Sequence, residues 1–315
     1  MYEKWKGVHT RSAFNMIQEL IPLTRPRTLA AALGPTILGA AFSYYAFGAA
    51  QGTGLAIFHT VLIFLAVVTA QIVANLWNEY KDFKSGLDAG QKVGNAGSIT
   101  RGVITPELII TMIKVLMFVP ITIGIYLSAT ITWYYIPIGF LCILISFLYS
   151  GGPKPISRTP FGEISSGIAM GFTIVLITGY AWIRELSLAL LIPAIPSTLL
   201  VGSIMLTNNI RDIRNDESHG RHTLPIVLGR ERALSLMSIS YIFNFIWIIA
   251  WIIIGHMTWF ALLAFLAAPL AFKTIHTLST NTDEFQLDKA MGTTAGAAMI
   301  YQLMWAIGLI MGKLF

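Results

Sequence analysis

The sequence predicts an all-α, multi-pass membrane protein, and two observations support this prediction. Of the 315 residues, 55% are hydrophobic and only 11% are charged, whereas soluble domains carry about 25% charged residues. Apolar runs of about 20 residues, the length that spans the hydrocarbon core of a bilayer, recur along the whole chain. We therefore expect one membrane-embedded domain over residues 1–315, with the lipid bilayer around it.

Nine apolar runs qualify as candidate membrane spans. They lie at 28–47, 55–79, 107–128, 130–150, 162–183, 187–210, 233–254, 257–272 and 291–312. The eighth run is short, and the third and fourth nearly touch. Segment 1–27 is polar and lacks the apolar core of a cleavable signal, so we expect it to remain as a cytoplasmic N-terminal segment.

The basic residues predict the orientation of the chain. With a cytoplasmic N-terminus, 18 of the 21 Lys and Arg residues fall on cytoplasmic segments, while the opposite side holds only Arg184 and Lys313, and Lys114 lies within a span. This asymmetry follows the positive-inside rule. The cytoplasmic loops 80–106 and 211–232 are also long and polar, and such loops frequently carry function.

The second span ends in a group of amide and acidic side chains. Asn75, Asn78, Glu79 and Asp82 follow each other at intervals of one, three or four residues, so that Asn75, Asn78 and Asp82 share one face of a helix. The cytoplasmic C-terminal end of a helix also favours a cation through its dipole. Asp88 is the next carboxylate along the chain.

A second group of the same kind ends the sixth span. Asn208, Asp212 and Asp216 are spaced by four residues, with Asn209 beside them. Both groups are predicted at the same membrane depth on the same side. An aspartate at the membrane centre costs at least roughly 2.5 kcal/mol, so repeated acceptors on one face are difficult to retain without a cation.

The ligand types favour Mg²⁺ as that cation. All-oxygen groups without a cysteine or converging histidines suit Mg²⁺, Ca²⁺ or Mn²⁺, and Mg²⁺ is commonly held by carboxylates together with substrate phosphates. Basic side chains in the neighbouring loops would pair with the remaining phosphate oxygens. These candidate diphosphate-binding residues are Lys92, Arg101, Lys154, Arg158 and Arg221.

The net charge of +6 does not indicate nucleic-acid binding. The basic residues are scattered among short loops and form no block or RNA-binding signature. The single cysteine, Cys142, lies in an apolar run and is expected to serve packing. No nucleic-acid partner is therefore expected.

The motifs resemble those of the intramembrane aromatic prenyltransferases, the UbiA superfamily. That family carries an Asn-Asp-x-x-Asp-type motif after its second helix and an Asp-x-x-x-Asp motif after its sixth, matched here by residues 78–82 and 212–216. Stretches 25–29, 85–88, 149–156, 159–163 and 220–224 extend the likeness over nearly the whole chain. Glu79 stands where many members have Asp, and Gly86 stands where others have a third Asp. The pattern is most similar to the branch that acts on 1,4-dihydroxy-2-naphthoate.

The resemblance implies a bundle around a central cavity open to the cytoplasmic side, in which a polyprenyl diphosphate meets an aromatic acceptor. Asp82 and Asp212 would bind the diphosphate through Mg²⁺, with Asn78, Asp88 and Asp216 as further ligands. Tyr149 would stabilise the allylic cation by cation–π attraction. The residues implied for the acceptor carboxylate are Arg25 and Arg27. In this branch the carboxylate is lost as CO₂.

Two other functions remain possible from the sequence. The first is a prenyltransferase of the same superfamily with another acceptor, such as 4-hydroxybenzoate or homogentisate, since pocket shape sets that choice. The second is a cation-coupled transporter, whose acidic residues would lie at the midplane on broken helices. Here both acidic groups end intact spans, which disfavours transport.

Overall fold

The computed structural model describes residues 20–87 and 97–315 of the chain, and every regular element in them is helical. The 3₁₀ turn Pro26–Leu29 leads into α1 (Ala30–Phe47), followed by α2 (Thr53–Ser85), α3 (Pro106–Thr130) and α4 (Tyr135–Ser150). Helix α5 (Gly162–Ile183) contains a π-helical segment at Gly167–Phe172, and α6 covers Leu188–Arg211. The short helices α7 (Ile213–Ser218) and α8 (Leu224–Leu228) precede α9 (Arg230–Ile253), α10 (Trp259–Thr280) and α11 (Glu284–Leu314).

In the described part of the chain, eight helices have the length and apolar composition of membrane spans: α1, α2, α3, α5, α6, α9, α10 and α11. The remaining predicted span, 130–150, forms a helix only from Tyr135, because residues 131–134 make the turn from α3. Its 16 residues reach about 24 Å, less than the roughly 30 Å hydrocarbon core. The structure therefore supports an all-helical membrane protein with eight long helices and one shorter apolar helix.

Several predicted boundaries differ from those observed. Helix α2 continues six residues beyond the predicted end of the span at 79, so the first residues of the predicted loop 80–106 are helical and Asp82 lies on the same helix as Asn75 and Asn78. Gly86 ends α2 with φ 74°, the left-handed conformation that glycine adopts most readily. Helices α7 and α8 also lie within the predicted loop 211–232, and α10 reaches Thr280 where the apolar run ends at 272.

Helix α11 lies at the centre of the largest buried cluster, where it packs against α1, α6 and α10. Trp305 is fully buried there, and Tyr301 is 1% exposed and donates a 2.6 Å hydrogen bond to the Asn244 carbonyl. Helices α2 and α3 pack as a separate pair around Leu76 and Ile109. The space between these two groups of helices contains the principal cavity.

Helices α5 and α6 cross at very short distance. A Cβ added at Gly171 would lie 2.5 Å from the Ser197 carbonyl oxygen, and one at Gly167 would lie 2.6 Å from that of Thr198. Both glycines belong to the π-helical segment, a local widening that is frequent at functional sites. The contact brings two walls of the cavity together.

Candidate functional site

Arg221 joins the two acidic motifs at one end of the bundle. Its Nη2 donates to Asp82 Oδ1 at 3.0 Å, and its Nη1 lies 3.3 Å from Asp216 Oδ1. These carboxylates come from the end of α2 and from α7, more than 130 residues apart in sequence. The structure thus brings together the ends of the second and sixth predicted spans, which were predicted to lie at the same membrane depth.

A second network centres on Arg211, the last residue of α6. Its Nε and Nη2 donate to both oxygens of Asp212 at 2.7 Å, and Nη2 also donates to Asn208 Oδ1 at 2.9 Å. Its Nη1 donates to Asp288 Oδ1 at 2.9 Å, and Arg27 Nη1 donates to Asp288 Oδ2 at 2.8 Å. Arg27, which was predicted to bind the carboxylate of the aromatic acceptor, therefore forms an ion pair with Asp288.

These charged side chains surround a polar cavity of about 90 Å³, which we call the head cavity. Four aspartates and four arginines are among its lining residues: Asp82, Asp212, Asp216, Asp288, Arg25, Arg27, Arg211 and Arg221. Amides of Asn78, Asn208 and Asn215 complete the polar wall. Such a set can bind an anion through guanidinium groups and a hard cation through oxygens.

Asn78 is the strongest structural indication of a ligand in the head cavity. Its Oδ1 is buried without a hydrogen-bond partner, although the residue lines the cavity. A buried polar atom is normally satisfied, and leaving it unpaired costs about 1–3 kcal/mol. Together with the carboxylates of Asp82, Asp212 and Asp216, which line the same cavity, this oxygen makes a set of ligands that fits Mg²⁺.

Arginines separate these carboxylates. Across residues 20–87 and 97–315, no three or more His, Cys, Asp or Glu side chains converge closely enough to hold a metal by themselves. Arg211 covers both oxygens of Asp212, and Arg221 contacts Asp82 and Asp216. A bound cation would therefore compete directly with these guanidinium groups.

Asp216 is 2% exposed, and its environment affects its protonation. Burial raises its pKa to about 7, while the positive charge of Arg221 opposes that rise. Near neutral pH the carboxyl group thus readily carries a proton. A nearby cation would favour its ionised form.

Three further candidate residues brace the site. The Asn75 amide donates to the Thr24 carbonyl at 2.9 Å and to Thr28 Oγ1 at 3.2 Å, which ties α2 to the N-terminal segment. Glu79, 1% exposed, accepts from the backbone N–H groups of residues 97 and 99 at 3.1 and 3.3 Å. Asn209 donates to Glu163 Oε1 at 2.8 Å between α6 and α5.

The remaining predicted diphosphate-binding residues are distributed more widely. Lys92 lies outside the described residues, as does Asp88, which was predicted as a metal ligand. Arg101 is exposed, with its Nη2 on Ser98 Oγ at 3.2 Å, and Lys154 is exposed in the loop after α4. Arg158 is half-buried, and its carbonyl accepts from the His222 N–H at 3.0 Å in the segment that carries Arg221. Among the described residues that were predicted to bind the diphosphate, Arg221 is the one that lines the head cavity.

A larger, apolar cavity of about 290 Å³ adjoins the head cavity, and we call it the tail cavity. It lies between α2, α3, α4, α5 and α6. The two cavities share six lining residues: Arg25, Thr28, Asn78, Asn208, Arg221 and Met291. A charged end thus passes directly into an apolar volume, the shape required by an amphiphile with an anionic head.

Tyr149 lies in the wall of the tail cavity. Its hydroxyl interacts with the Ser166 side chain on α5, and a Cβ at Gly162 would lie 3.2 Å from that oxygen. Phe147 and Tyr135 also line this cavity. The aromatic faces supply a wall that attracts positive charge without solvating it.

Arg25 occupies the junction between the two cavities. It adopts φ 49° and ψ 67°, a left-handed conformation that is uncommon for a residue with a side chain. Its carbonyl accepts from the N–H and Oγ1 of Thr28, which Asn75 holds in turn. Among the arginines that line the two cavities, Arg27, Arg211 and Arg221 form ion pairs with described carboxylates. Arg25 forms no such ion pair within the described part of the chain, although its positive charge acts on Asp82.

Sequence reasoning missed two participants of the site. Asp288 lies at the start of α11, and as a lone carboxylate it belongs to no spaced motif. Arg211 directly precedes Asp212 and was counted only as a cytoplasmic positive charge. The adjacency of a basic and an acidic residue at a helix end was the available signal for Arg211.

The bundle and its two joined cavities define a membrane-embedded protein in which a charged compartment opens directly into an apolar one. The model of the UbiA prenyltransferase family matches residues 32–307, and the chain belongs to that family. It is a prenyltransferase enzyme, which confirms the resemblance seen in the motifs.

Two curated relatives match nearly the full length. The 1,4-dihydroxy-2-naphthoate octaprenyltransferase of Bacillus subtilis is 35% identical, covering 98% of this chain and 97% of the relative. The Escherichia coli protein of the same name is 26% identical, covering 96% and 99%.

Solved structures of UbiA homologues share the fold. The apo homologue from Aeropyrum pernix has a TM-score of 0.68 at 18% identity, over 90% of this chain and 97% of that one. A homologue from Archaeoglobus fulgidus, described as bound to GPP and Mg²⁺, has a TM-score of 0.61 at 15% identity, over 90% and 98%. At these identities the likeness concerns the fold.

Proposed function

We propose that this enzyme transfers a polyprenyl group from an all-trans polyprenyl diphosphate to 1,4-dihydroxy-2-naphthoate, with Mg²⁺ as cofactor. The observation that supports this most is the continuity of the head cavity with the tail cavity. The names of the Bacillus subtilis and Escherichia coli relatives support the naphthoate acceptor. The description of the Archaeoglobus fulgidus homologue supports a prenyl diphosphate with Mg²⁺.

The head cavity would receive the diphosphate. Asn78, Asp82, Asp212 and Asp216 would hold Mg²⁺, which when bound neutralises charge on the departing diphosphate. Arg221 would donate to phosphate oxygens once Asp82 and Asp216 turn towards the cation, as a guanidinium does in bidentate anion binding. These residues keep the leaving group fixed at one end of the isoprenoid.

The tail cavity would receive the isoprenoid and exclude water from its reactive C1. The C1–O bond to the diphosphate breaks with its electron pair on oxygen, and the allylic cation lies against Tyr149. The ring carbon that bears the carboxylate forms the new bond to C1. Loss of that carboxylate as CO₂ returns its electron pair to the ring, and the product is demethylmenaquinol.

Arg25 is the side chain we assign to the acceptor carboxylate. Among the described arginines of the two cavities, it is the one that forms no ion pair, and it lies at the junction of the cavities, where the acceptor ring must approach C1. Arg27 fits this role less well because Asp288 already holds it. We further propose that the head cavity opens to the cytoplasm and, in a bacterium, that the enzyme resides in the plasma membrane.

The acceptor is tested with purified protein in lipid nanodiscs. The protein is offered 1,4-dihydroxy-2-naphthoate or 4-hydroxybenzoate with the same all-trans polyprenyl diphosphate and Mg²⁺, and the products are identified by mass spectrometry. We expect a prenylated product that has lost the mass of CO₂ from the naphthoate alone. Exclusive prenylation of 4-hydroxybenzoate would overturn the naphthoate assignment.

The same assay tests the carboxylates. Asp82→Asn and Asp212→Asn should each lower the rate at least about a hundredfold, because each removes a charged oxygen from the cation site. Glu217→Gln is the matched control, since it removes the same charge from the exposed side of α7 and lines neither cavity. Equal losses in all three variants would contradict the assigned site.

A further inference from the structure

Asp288 on α11 is the one carboxylate of the head cavity that belongs to neither acidic motif. Its Oδ1 accepts from Arg211 at 2.9 Å, and its Oδ2 accepts from Arg27 at 2.8 Å. Arg27 Nη1 also lies 3.2 Å from the Asp288 carbonyl oxygen. Both carboxylate oxygens thus face arginines, so Asp288 is placed to hold guanidinium groups and not to bind a metal ion.

Arg211 is shared between two carboxylates. Its side chain is 8% exposed, and a buried guanidinium requires an opposite charge, because an unpaired buried charge is strongly destabilising. Asp212 provides two bonds to it and Asp288 provides one. Without Asp288, Asp212 would be the only carboxylate of the described residues that is bonded to Arg211.

This sharing bears on the capacity of Asp212 to bind a cation. Both Asp212 oxygens are bonded to Arg211, so a metal must displace at least one of these bonds. The displacement costs less when Arg211 retains another carboxylate. Asp288, fixed near the start of α11 and already bonded to Nη1, is that partner.

We propose that Asp288 is a positioning residue for the cation site: it retains Arg211 when Asp212 turns from the guanidinium to Mg²⁺. The inference rests on the proposed function for the identity of the cation. According to this inference, a residue of α11 helps to set the affinity for the metal, although Asp288 itself does not touch the metal.

The test measures cation binding directly. Mn²⁺ binding to purified protein with a non-hydrolysable polyprenyl diphosphate analogue is followed by the loss of the free Mn²⁺ signal in electron paramagnetic resonance. Asp288→Asn should weaken binding about tenfold, the scale of coupling between contacting charged residues. In the prenyl-transfer assay the Mg²⁺ concentration for half-maximal rate should rise by a similar factor, with the rate at saturating Mg²⁺ changed less than threefold.

Three variants separate positioning from general effects. Asp283→Asn removes the same charge from the start of the same helix, where asparagine caps as well as aspartate, and it should leave Mn²⁺ affinity unchanged. Arg211→Gln frees Asp212 and should tighten binding. In the double variant Arg211→Gln with Asp288→Asn, affinity should match that of Arg211→Gln, because Asp288 acts through Arg211.

The proposal would be overturned if Asp288→Asn lowered Mn²⁺ affinity equally in the wild-type and Arg211→Gln proteins. Such a result would show that the Asp288 charge acts on the cation directly and independently of Arg211. If Asp288→Asn does not fold, as judged by thermal unfolding, Arg211→Gln and Asp288→Glu provide the test. Weaker Mn²⁺ binding by Arg211→Gln, or a tenfold loss in Asp288→Glu, would then overturn it. Wild-type protein that binds Mn²⁺ but transfers no prenyl group would refute the proposed function and leave this inference standing.

Discussion

At the scale of single residues, chemically identical side chains on one helix face have different tasks. Asn75 and Asn78 lie one turn apart on α2. The amide of Asn75 donates hydrogen bonds to Thr24 and Thr28, while the Asn78 oxygen is buried without a partner beside the head cavity. Spacing places both on the same face, but only the neighbouring segments determine which one remains available for a ligand.

This difference leads to opposite expectations for alanine substitution. Asn75→Ala should lower the free energy of unfolding by about 1–3 kcal/mol, because it leaves buried partners unpaired. Asn78→Ala removes an unsatisfied oxygen, so it should leave the melting temperature unchanged or raise it, while the KM for the polyprenyl diphosphate rises at least about tenfold.

Thermal unfolding in detergent and steady-state kinetics measure the two effects on the same preparations. Each variant acts as the control for the other, since both exchange asparagine for alanine on α2. A stability loss confined to Asn78→Ala, with normal substrate binding, would refute this division of roles.

At the scale of the helix, the contact between α5 and α6 depends on missing side chains. The Gly171 position lies against the backbone of Ser197 and Thr198, which cannot rotate away as a side chain tip can. Residues 169 and 173 on α5 and 201 and 204 on α6 line the tail cavity near this crossing. The helix spacing that the glycine permits therefore sets the width of the cavity.

Gly171→Ala should destabilise the protein by about 1–3 kcal/mol, as other overpacked sites do. Gly292→Ala on α11 is the matched control, because no neighbouring atom lies within 4 Å of the added Cβ. In that variant the higher helix propensity of alanine should be neutral or stabilising by up to about 1 kcal/mol. Equal melting temperatures for the two variants would contradict the tight crossing.

At the scale of the whole molecule, residues of both acidic motifs and four arginines line the head cavity at one end of the bundle. Arg221 bonds residues of both motifs there, whereas Arg184 lies at the far end and donates to the Thr130 carbonyl and to Gln51. The charge asymmetry predicts that the end with the head cavity faces the cytoplasm. Which side of the membrane the head cavity faces remains a prediction.

Cysteine labelling tests that orientation. In a Cys142→Ala background, Ser218→Cys marks the end with the head cavity, and Leu186→Cys, at a site that is 73% exposed, marks the opposite end. A membrane-impermeant maleimide added to intact cells should label only Leu186→Cys, and disrupted cells should show both. Labelling of Ser218→Cys in intact cells would reverse the topology.

The sequence alone determined the class of fold and predicted the chemistry of the site. Apolar length gave the helices, and the all-oxygen motifs at 78–82 and 212–216 indicated a cation and a diphosphate. These features depend on local composition and on helical periodicity, which can be recognised without tertiary contacts.

The tertiary structure alone decided which of the candidate side chains act together. It placed Arg221 between the motifs, committed Glu79 and Asn75 to neighbouring backbone, and brought Asp288 to Arg211 from a helix that starts more than 70 residues later. Packing of distant helices fixes such contacts, and no local pattern in the chain encodes them. The physical reason is that a guanidinium or amide pairs with whichever acceptor the fold brings within about 3 Å.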